Sequence, residues 1–188
     1  MSKLVVISGP SGVGKSTITN CIMDEEPRIE RVRSATTRDE RFDDDREKQY
    51  DYLSKQEFRE KIDEGAFLEW ADVYGEYYGT QLSELDRVIQ NGHIPILEID
   101  IQGAEQVRDS GRDHISIFLE PPTFEELETR LRNRGGGDEQ QLQKRLETAR
   151  EELEEIPAYD FRIVNDQIDS VTDRVLDIIR HNVSFPED

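Results

Sequence analysis

The chain has 188 residues, 34% hydrophobic and 36% charged, with 24 basic against 43 acidic side chains and a net charge of -19. That length suits one domain with a real core, and the acid excess excludes a protein that coats DNA or RNA by neutralising phosphates. No apolar run approaches the roughly 20 residues of a membrane span, and Leu4 to Ile7 is too short for a signal-peptide core, so a cytoplasmic protein is expected.

A lone Cys21 has no internal disulfide partner and is expected in the core. His93, His114 and His181 lie far apart, without zinc spacing. The basic residues are 18 Arg and 6 Lys. Such lysine-poor acidity resembles proteins of salt-loving cytosols, with an acidic enzyme of an ordinary cytosol as the alternative; loss of stability in molar salt would remove the first reading.

In chain order, Lys3 to Ser8 is a short β-branched run that predicts a buried strand, and Ser16 to Glu25 predicts a helix ending before Pro27. A strand over Ile29 to Ala35 is followed by a polar loop, Thr36 to Gln49. A strand at Tyr50 to Leu53, a helix at Lys55 to Glu64 and an aromatic, extended segment from Ala66 to Tyr78 make up what reads as a small lobe. The pattern then predicts a helix at Ser83 to Asn91, a strand at Ile94 to Ile99, a helix after Gly103 and a strand at His114 to Leu119. Thr123 to Glu155 reads as two charged helices joined at Gly135-Gly136-Gly137, a natural hinge. A strand at Asp160 to Val164 and a helix at Ile168 to Asn182 close the chain. Strands alternating with helices predict an α/β protein with a mostly parallel sheet covered on both faces.

The strongest motif is Gly9-Pro10-Ser11-Gly12-Val13-Gly14-Lys15-Ser16, a G-x-x-x-x-G-K-[ST] between predicted strand and helix. It is a P-loop. Its main-chain N–H groups form an anion cradle at a helix N-terminus, Lys15 reaches the β- and γ-phosphates, and Ser16 binds Mg²⁺. This says only that a nucleoside triphosphate binds. For a second substrate, Arg38 and Arg41 stand beside Ser34, Thr36 and Thr37 in an acidic loop, with Tyr50 and Tyr78 in the same block. Arginine forks and tyrosine hydroxyls suit a monophosphate, while surface salt bridges to the nearby aspartates are the structural alternative. Asp100 ends a strand where P-loop enzymes orient Mg²⁺ through water, and equally where a helix takes an N-cap; Glu98 shares its face.

These segments, with Phe67-Leu68-Glu69-Trp70-Ala71, Tyr74-Gly75-x-x-Tyr78-Gly79-Thr80, Ile99-Asp100-Ile101-Gln102-Gly103-Ala104, Arg130-Leu131-x-x-Arg134-Gly135 and Ile163-Val164-Asn165-Asp166, recur in this order in guanylate kinases, which the chain resembles from about Leu4 to Arg180. The resemblance implies one guanylate-kinase-like domain. Its P-loop kinase core spans 1–33, 81–125 and 156–188, an inserted α+β GMP-binding lobe spans 34–80, and a helical lid spans 126–155. It implies transfer from ATP to GMP, with Mg as cofactor, by a monomer or homodimer.

Carried over by position, the resemblance puts Gly9 to Thr17 and Asn165 at ATP, Asp166 nearby, and Arg38, Arg41, Tyr50 and Tyr78 on the GMP phosphate. It puts Ser34, Glu69, Thr80 and Glu98 around guanine, Asp100 in the GMP site as well, and Arg130, Arg134 and Arg145 on the transferring phosphates with Lys15 and Arg38. For the lid arginines, surface pairs such as Glu126 with Arg130 are the structural alternative. Guanine chemistry agrees with the base assignments: a carboxylate at Glu69 takes the N1–H and amine protons, and a hydroxyl at Thr80 or Ser34 gives to O6.

The chain departs from the resemblance at Glu40 to Gln49, which lacks the family's usual Pro-Arg-Pro-Gly run and its Gly-x-Asp-Tyr segment. Two rival readings remain: a related module that holds a peptide in the same cleft, and a P-loop kinase acting on another phosphorylated small molecule. The intact Lys15, Ser16 and arginines weigh against the first, Glu69 and Thr80 against the second.

Overall fold

The structure, a computed structural model, describes residues 3–40, 50–73, 75–133 and 139–185. Five strands form one wholly parallel sheet in the order β2-β7-β1-β8-β9: β1 (Leu4–Ser8), β2 (Ile29–Arg31), β7 (Ile94–Glu98), β8 (His114–Glu120) and β9 (Phe161–Val164). Leu4 to Ser8 is buried at every position because both faces of the sheet are covered. Val5 and Ile7 pack towards α1 (Lys15–Glu25) and α7 (Ile168–Asn182), against Ile18, Ile22, Val175 and Ile179. Leu4 and Val6 face the other way, towards Leu85 and Val88 of α3 (Leu82–Gln90) and Val107 of α4 (Ile101–Asp109).

A second, four-stranded mixed sheet stands apart in the order β4-β3-β6-β5, with β3 (Ser34–Thr36), β4 (Tyr50–Tyr52), β5 (Phe67–Val73) and β6 (Glu76–Gln81). Helix α2 (Lys55–Asp63) packs Phe58 between Phe67 and Tyr77. Its start is written locally: Ser54 accepts from the Glu57 N–H, and Glu57 Oε2 accepts from the Ser54 N–H at 2.8 Å. A third cluster joins α5 (Phe124–Asn133) to α6 (Glu139–Glu154) through Leu127, Leu131, Leu146 and Ala149.

Two expectations are corrected. The strand foreseen over Ile29 to Ala35 is two strands in different sheets: Val32 donates to the Ile96 carbonyl, and by Ser34 the chain has joined β6. Ile29, Val32 and Ala35 alternate with polar residues throughout, and nothing in that pattern marks a change of sheet. The helix expected after Gly103 begins earlier, at Ile101, because the Asp100 carboxylate caps it, accepting from the Gly103 N–H at 2.8 Å. Cys21 is half-buried on α1. Among the described residues no helix is long and apolar enough to cross a membrane.

Candidate active site

At the end of β1 the backbone turns through Gly9, Gly12 and Gly14, all at positive φ. At Gly9 a Cβ would lie 2.4 Å from the Leu119 carbonyl oxygen, and at Gly14 2.6 Å from Asn165 Nδ2. Glycine is required at both. The loop is held from outside by a side chain the motif does not contain: Asn165, buried at the end of β9, donates to the Val13 carbonyl at 2.7 Å. Arg130 also reaches Val13 O at 3.1 Å, pairs with Glu126 at 2.5 Å, and so braces the loop from α5.

Lys15 lies back over the loop, donating to Gly9 O at 2.5 Å and Pro10 O at 3.3 Å. The Ser16 hydroxyl donates to Glu98 Oε1 at 2.5 Å. Glu98 Oε2 is buried without a hydrogen bond, 3.4 Å from the Arg31 guanidinium, which itself donates to Asn20 at 2.8 Å.

From this loop a single cleft of about 1030 Å³ runs to the smaller sheet. Ser11, Gly12, Gly14, Lys15 and Ser16 line one end; Ser34, Tyr50, Glu69, Tyr78 and Gly79 line the other; Glu98, Ile99 and Asp100 lie between. The strand register explains how distant residues meet. Ser34 pairs with Thr80 and Tyr50, and Thr80 pairs with Glu69, so the four side-chain positions sit side by side across β4, β3, β6 and β5.

Glu69 is only 4% exposed whereas its neighbour Trp70 is 36% exposed, an inversion of hydrophobic order that marks a site rather than a core. Burial pushes the Glu69 carboxyl up to about 7, opposed by a hydrogen bond from Thr80 and reinforced by the Asp100 charge. Its Oε1 has no hydrogen-bond partner, so a buried acceptor waits for a donor. Gly103 makes room for it: a Cβ there would come within 2.5 Å of Glu69 Oε2. At the β4 edge of the same sheet, the Arg38 guanidinium lies over the Tyr50 ring at 5.1 Å and donates weakly to Tyr52 Oη at 3.4 Å, with Nε buried and unbonded.

The structure thus brings together Lys15, Ser16, Ser34, Tyr50, Glu69, Tyr78, Thr80, Glu98, Asp100 and Arg145, with Arg38 beside Tyr50. Thr17 is exposed on α1 and is not among the cleft-lining residues. Arg130 and Asn165 hold the outside of the loop, and Glu98, which lines the cleft, accepts a hydrogen bond from the P-loop serine. Arg41 and Arg134 lie outside the described residues, as do Tyr74 and the triple glycine. Sequence reading missed Gln102 and the α6 wall of Gln141, Lys144, Thr148 and Glu152. The signal was present: with Arg145, these positions recur at helical spacing on one face.

A parallel sheet that feeds its first strand into a glycine-rich loop and helix, facing a second pocket in which one oxygen of a buried carboxylate has no donor, defines a P-loop nucleotide-binding protein built for two ligands. The family model described as Guanylate kinase matches residues 1–182, and the chain belongs to the guanylate kinase family. It is 40% identical to a guanylate kinase of Prochlorococcus marinus subsp. pastoris, covering 96% of this chain and 98% of that one. With a guanylate kinase of Clostridium tetani the identity is 42%, covering 94% and 84%. The crystal structure of guanylate kinase from Anaplasma phagocytophilum superimposes with a TM-score of 0.77 at 31% identity, over 96% of this chain and 85% of that one.

Proposed function

We propose that this chain catalyses transfer of the γ-phosphoryl group of ATP to GMP, and to dGMP, giving ADP and the guanosine diphosphate, in the cytoplasm. One observation carries the reading: a single cleft joins a P-loop to a pocket whose buried carboxylate keeps one oxygen, Glu69 Oε1, without a donor. GMP offers that carboxylate two donors, N1–H and the exocyclic amine, while adenine presents an acceptor at N1 and leaves the carboxylate unpaired at a cost of about 1–3 kcal/mol or more. Ser34, adjacent in register to Thr80, supplies a hydroxyl for O6, and Thr80 either joins it there or stays on Glu69. Arg38, with its buried free Nε, and Tyr50 and Tyr78 take the GMP phosphate, joined by Arg41.

At the other end the main-chain N–H groups between Gly9 and Ser16, Pro10 having none, cradle the phosphates of ATP. Lys15 exchanges its carbonyl partners on the loop for phosphate oxygens, and Arg145, on the α6 wall, offsets charge on the group in transit. Arg130 and Asn165 act by bracing the loop, and Arg134 belongs to the same lid. The residues present suit Mg²⁺: because Ser16 gives its proton to Glu98, its lone pairs are left for a hard cation, and the Asp100 carboxylate stands on the same wall. Among the described residues no group of three or more His, Cys, Asp or Glu is placed to hold a metal, in keeping with an ion carried largely by phosphate and water. When bound, Mg²⁺ would offset charge on the β- and γ-phosphates.

No general base is needed, because the attacking GMP phosphate is already ionised; positioning and charge do the work. Residues 1–33, 81–125 and 156–188 act as the core, 34–80 as the GMP lobe and 126–155 as a lid that excludes water. A coupled ADP-release assay with GMP, dGMP, AMP, CMP and UMP, with Lys15→Ala as control, tests this. Turnover confined to GMP and dGMP is expected; equal turnover on AMP overturns the base assignment.

A further inference from the structure

Helix α4, in the core, carries a side chain that ends on the main chain of the smaller sheet. Strand β5 is the last strand in the order β4-β3-β6-β5, and its open side leaves main-chain groups without a strand partner. At Trp70 that side is taken by the amide of Gln106, which accepts from the Trp70 N–H at 3.1 Å and donates to the Trp70 carbonyl at 2.7 Å. The same Nε2 donates to Gln102 O, one turn back on α4, at 3.2 Å, so the amide is tied to its own helix as well. One side chain thus does for one residue what a neighbouring strand would do.

Trp70 directly follows Glu69, and the residues before it also meet α4. The β5-β6 register shifts between Phe67 and Glu69, a bulge that re-aims the chain at Leu68. Leu68 packs against the core cluster that contains Ala104 and Val107. Gly103 leaves the room that Glu69 Oε2 occupies, since a Cβ there would lie 2.5 Å away. Leu68, Glu69 and Trp70 are therefore met in turn by apolar contact, by space and by a pair of hydrogen bonds, all from one helix. Burial of Trp70 does not call for the clamp, because that residue is 36% exposed. What the clamp fixes is the backbone beside the buried acid.

We propose that Gln106 is a positioning residue for guanine recognition: by clamping Trp70 it fixes the strand from which Glu69 projects, and so holds the carboxylate where the N1–H and exocyclic amine of the base arrive. The inference rests on the reading that Glu69 receives guanine. Hydrogen bonds weaken steeply once distance and angle drift, so an edge strand free to shift by about 1 Å would forfeit much of the pairing with two donors at once. Gln106 touches neither nucleotide. It acts through Trp70, and its effect should fall on the donor pattern of the base rather than on the phosphates.

The test is steady-state kinetics with GMP and with inosine monophosphate, which keeps N1–H and O6 but lacks the exocyclic amine, on the unaltered chain and Gln106→Met. Methionine preserves length and removes both bonds to Trp70. KM for GMP is expected to rise about tenfold, the order of one or two lost hydrogen bonds, with kcat within about twofold of the parent. KM for inosine monophosphate, which engages the carboxylate through one donor, should rise only about twofold, so the preference for GMP in kcat/KM falls about fivefold. A role limited to holding the smaller sheet on the core would weaken both substrates alike, and a preserved preference overturns the inference. An unchanged KM for GMP in the folded variant overturns it too, with the Glu69 reading intact. An unaltered chain that does not turn over GMP, or takes inosine monophosphate equally well, sinks the Glu69 reading and this inference with it. Should Gln106→Met fail to fold, Gln106→Glu keeps an acceptor for the Trp70 N–H and sets an oxygen against the Trp70 carbonyl; a preference lowered about threefold is expected, and none overturns the proposal.

Discussion

The two ends of the cleft are built on opposite principles. At the P-loop the ligand-facing groups are main-chain amides, and side chains such as Asn165 and Arg130 serve as braces behind the loop. In the smaller sheet the side chains face the cleft, and the backbone merely sets their spacing through the β4-β3-β6-β5 register. The first end recognises charge and is indifferent to what carries it; the second recognises a pattern of donors and acceptors. A cradle of amides therefore suits phosphates common to all nucleotides, and a wall of side chains suits one base.

The largest effect that separates the ends is expected from Lys15→Met. Lys15 is the movable cation of the P-loop, and removing a group that stabilises the transition state costs about 10²–10³ in kcat. Its bonds to Gly9 O and Pro10 O are only partly buried, so the thermal midpoint should stay within a few degrees of the parent. Calorimetry with GMP alone should give an unchanged Kd. A parallel loss of GMP affinity would show that the ends are not independent.

Glu69→Gln is the complementary cut. Loss of an ionised buried acceptor should raise KM for GMP about 50-fold, leaving Kd for ADP unchanged. The pH dependence has a definite sign. With its carboxyl near 7 in the folded chain against an ordinary 4.5, Glu69 is protonated in the native state and ionised in the unfolded one between those limits. Its contribution to stability therefore falls as pH rises from about 4.5 to 7, and the penalty is fully present above 7. GMP requires the ionised form, so GMP affinity rises over the same range while stability declines. Glu69→Gln should remove both trends: its melting temperature gains on the parent above pH 7 and loses that gain towards pH 4.5. A parent KM for GMP that worsens from pH 6 to 8, after correction by the Gln variant, would contradict the assignment.

The same contrast decides what could be read without coordinates. The P-loop was legible because its function is stored in local backbone geometry, and Gly9, Gly14 and Lys15 announce that geometry in eight consecutive residues. Strands β1, β7, β8 and β9 and helices α1, α2, α3 and α7 were legible for a related reason, since caps, glycines and apolar runs are local signals. Ser34, Glu69 and Thr80 had to be carried over from the family resemblance, because nothing local says that three strands will set them side by side. The change of sheet at Val32 to Ser34 and the face that α6 turns to the cleft are likewise tertiary facts. Asn165 illustrates the middle case: it was placed near ATP, but its role as a brace on Val13 O depends on β9 ending beside the loop.

Gly103→Ala makes a smaller and cleaner cut at the side-chain end. The residue lies in the first turn of α4, where alanine is favoured over glycine by up to about 1 kcal/mol, yet its Cβ would meet Glu69 Oε2 at 2.5 Å. The carboxylate has to move, so KM for GMP should rise about tenfold while the melting temperature holds or increases. Urea denaturation alongside GMP kinetics separates the two. A drop in stability with unchanged KM would mean that the helix, not the acid, absorbs the methyl group.

The weakest effect is shared by both ends and so tests where their independence stops. A chain of net charge -19 surrounds Lys15, Arg38 and Arg145 with a long-range field that disfavours anionic ligands. Raising ionic strength from about 10 mM to 100 mM shortens the Debye length from about 30 Å to 10 Å, which removes the distant acids from the balance before it weakens contacts inside the cleft. Kd for ADP and for GMP should each fall about two- to threefold over that range, in a constant ratio, and then rise at higher salt as the local cations are screened in turn. A change confined to one ligand would locate the acidic field at one wall. A steady rise for both from the lowest salt would mean that Lys15, Arg38 and Arg145 govern the potential in the cleft at every distance, and that the surface acids serve solubility alone.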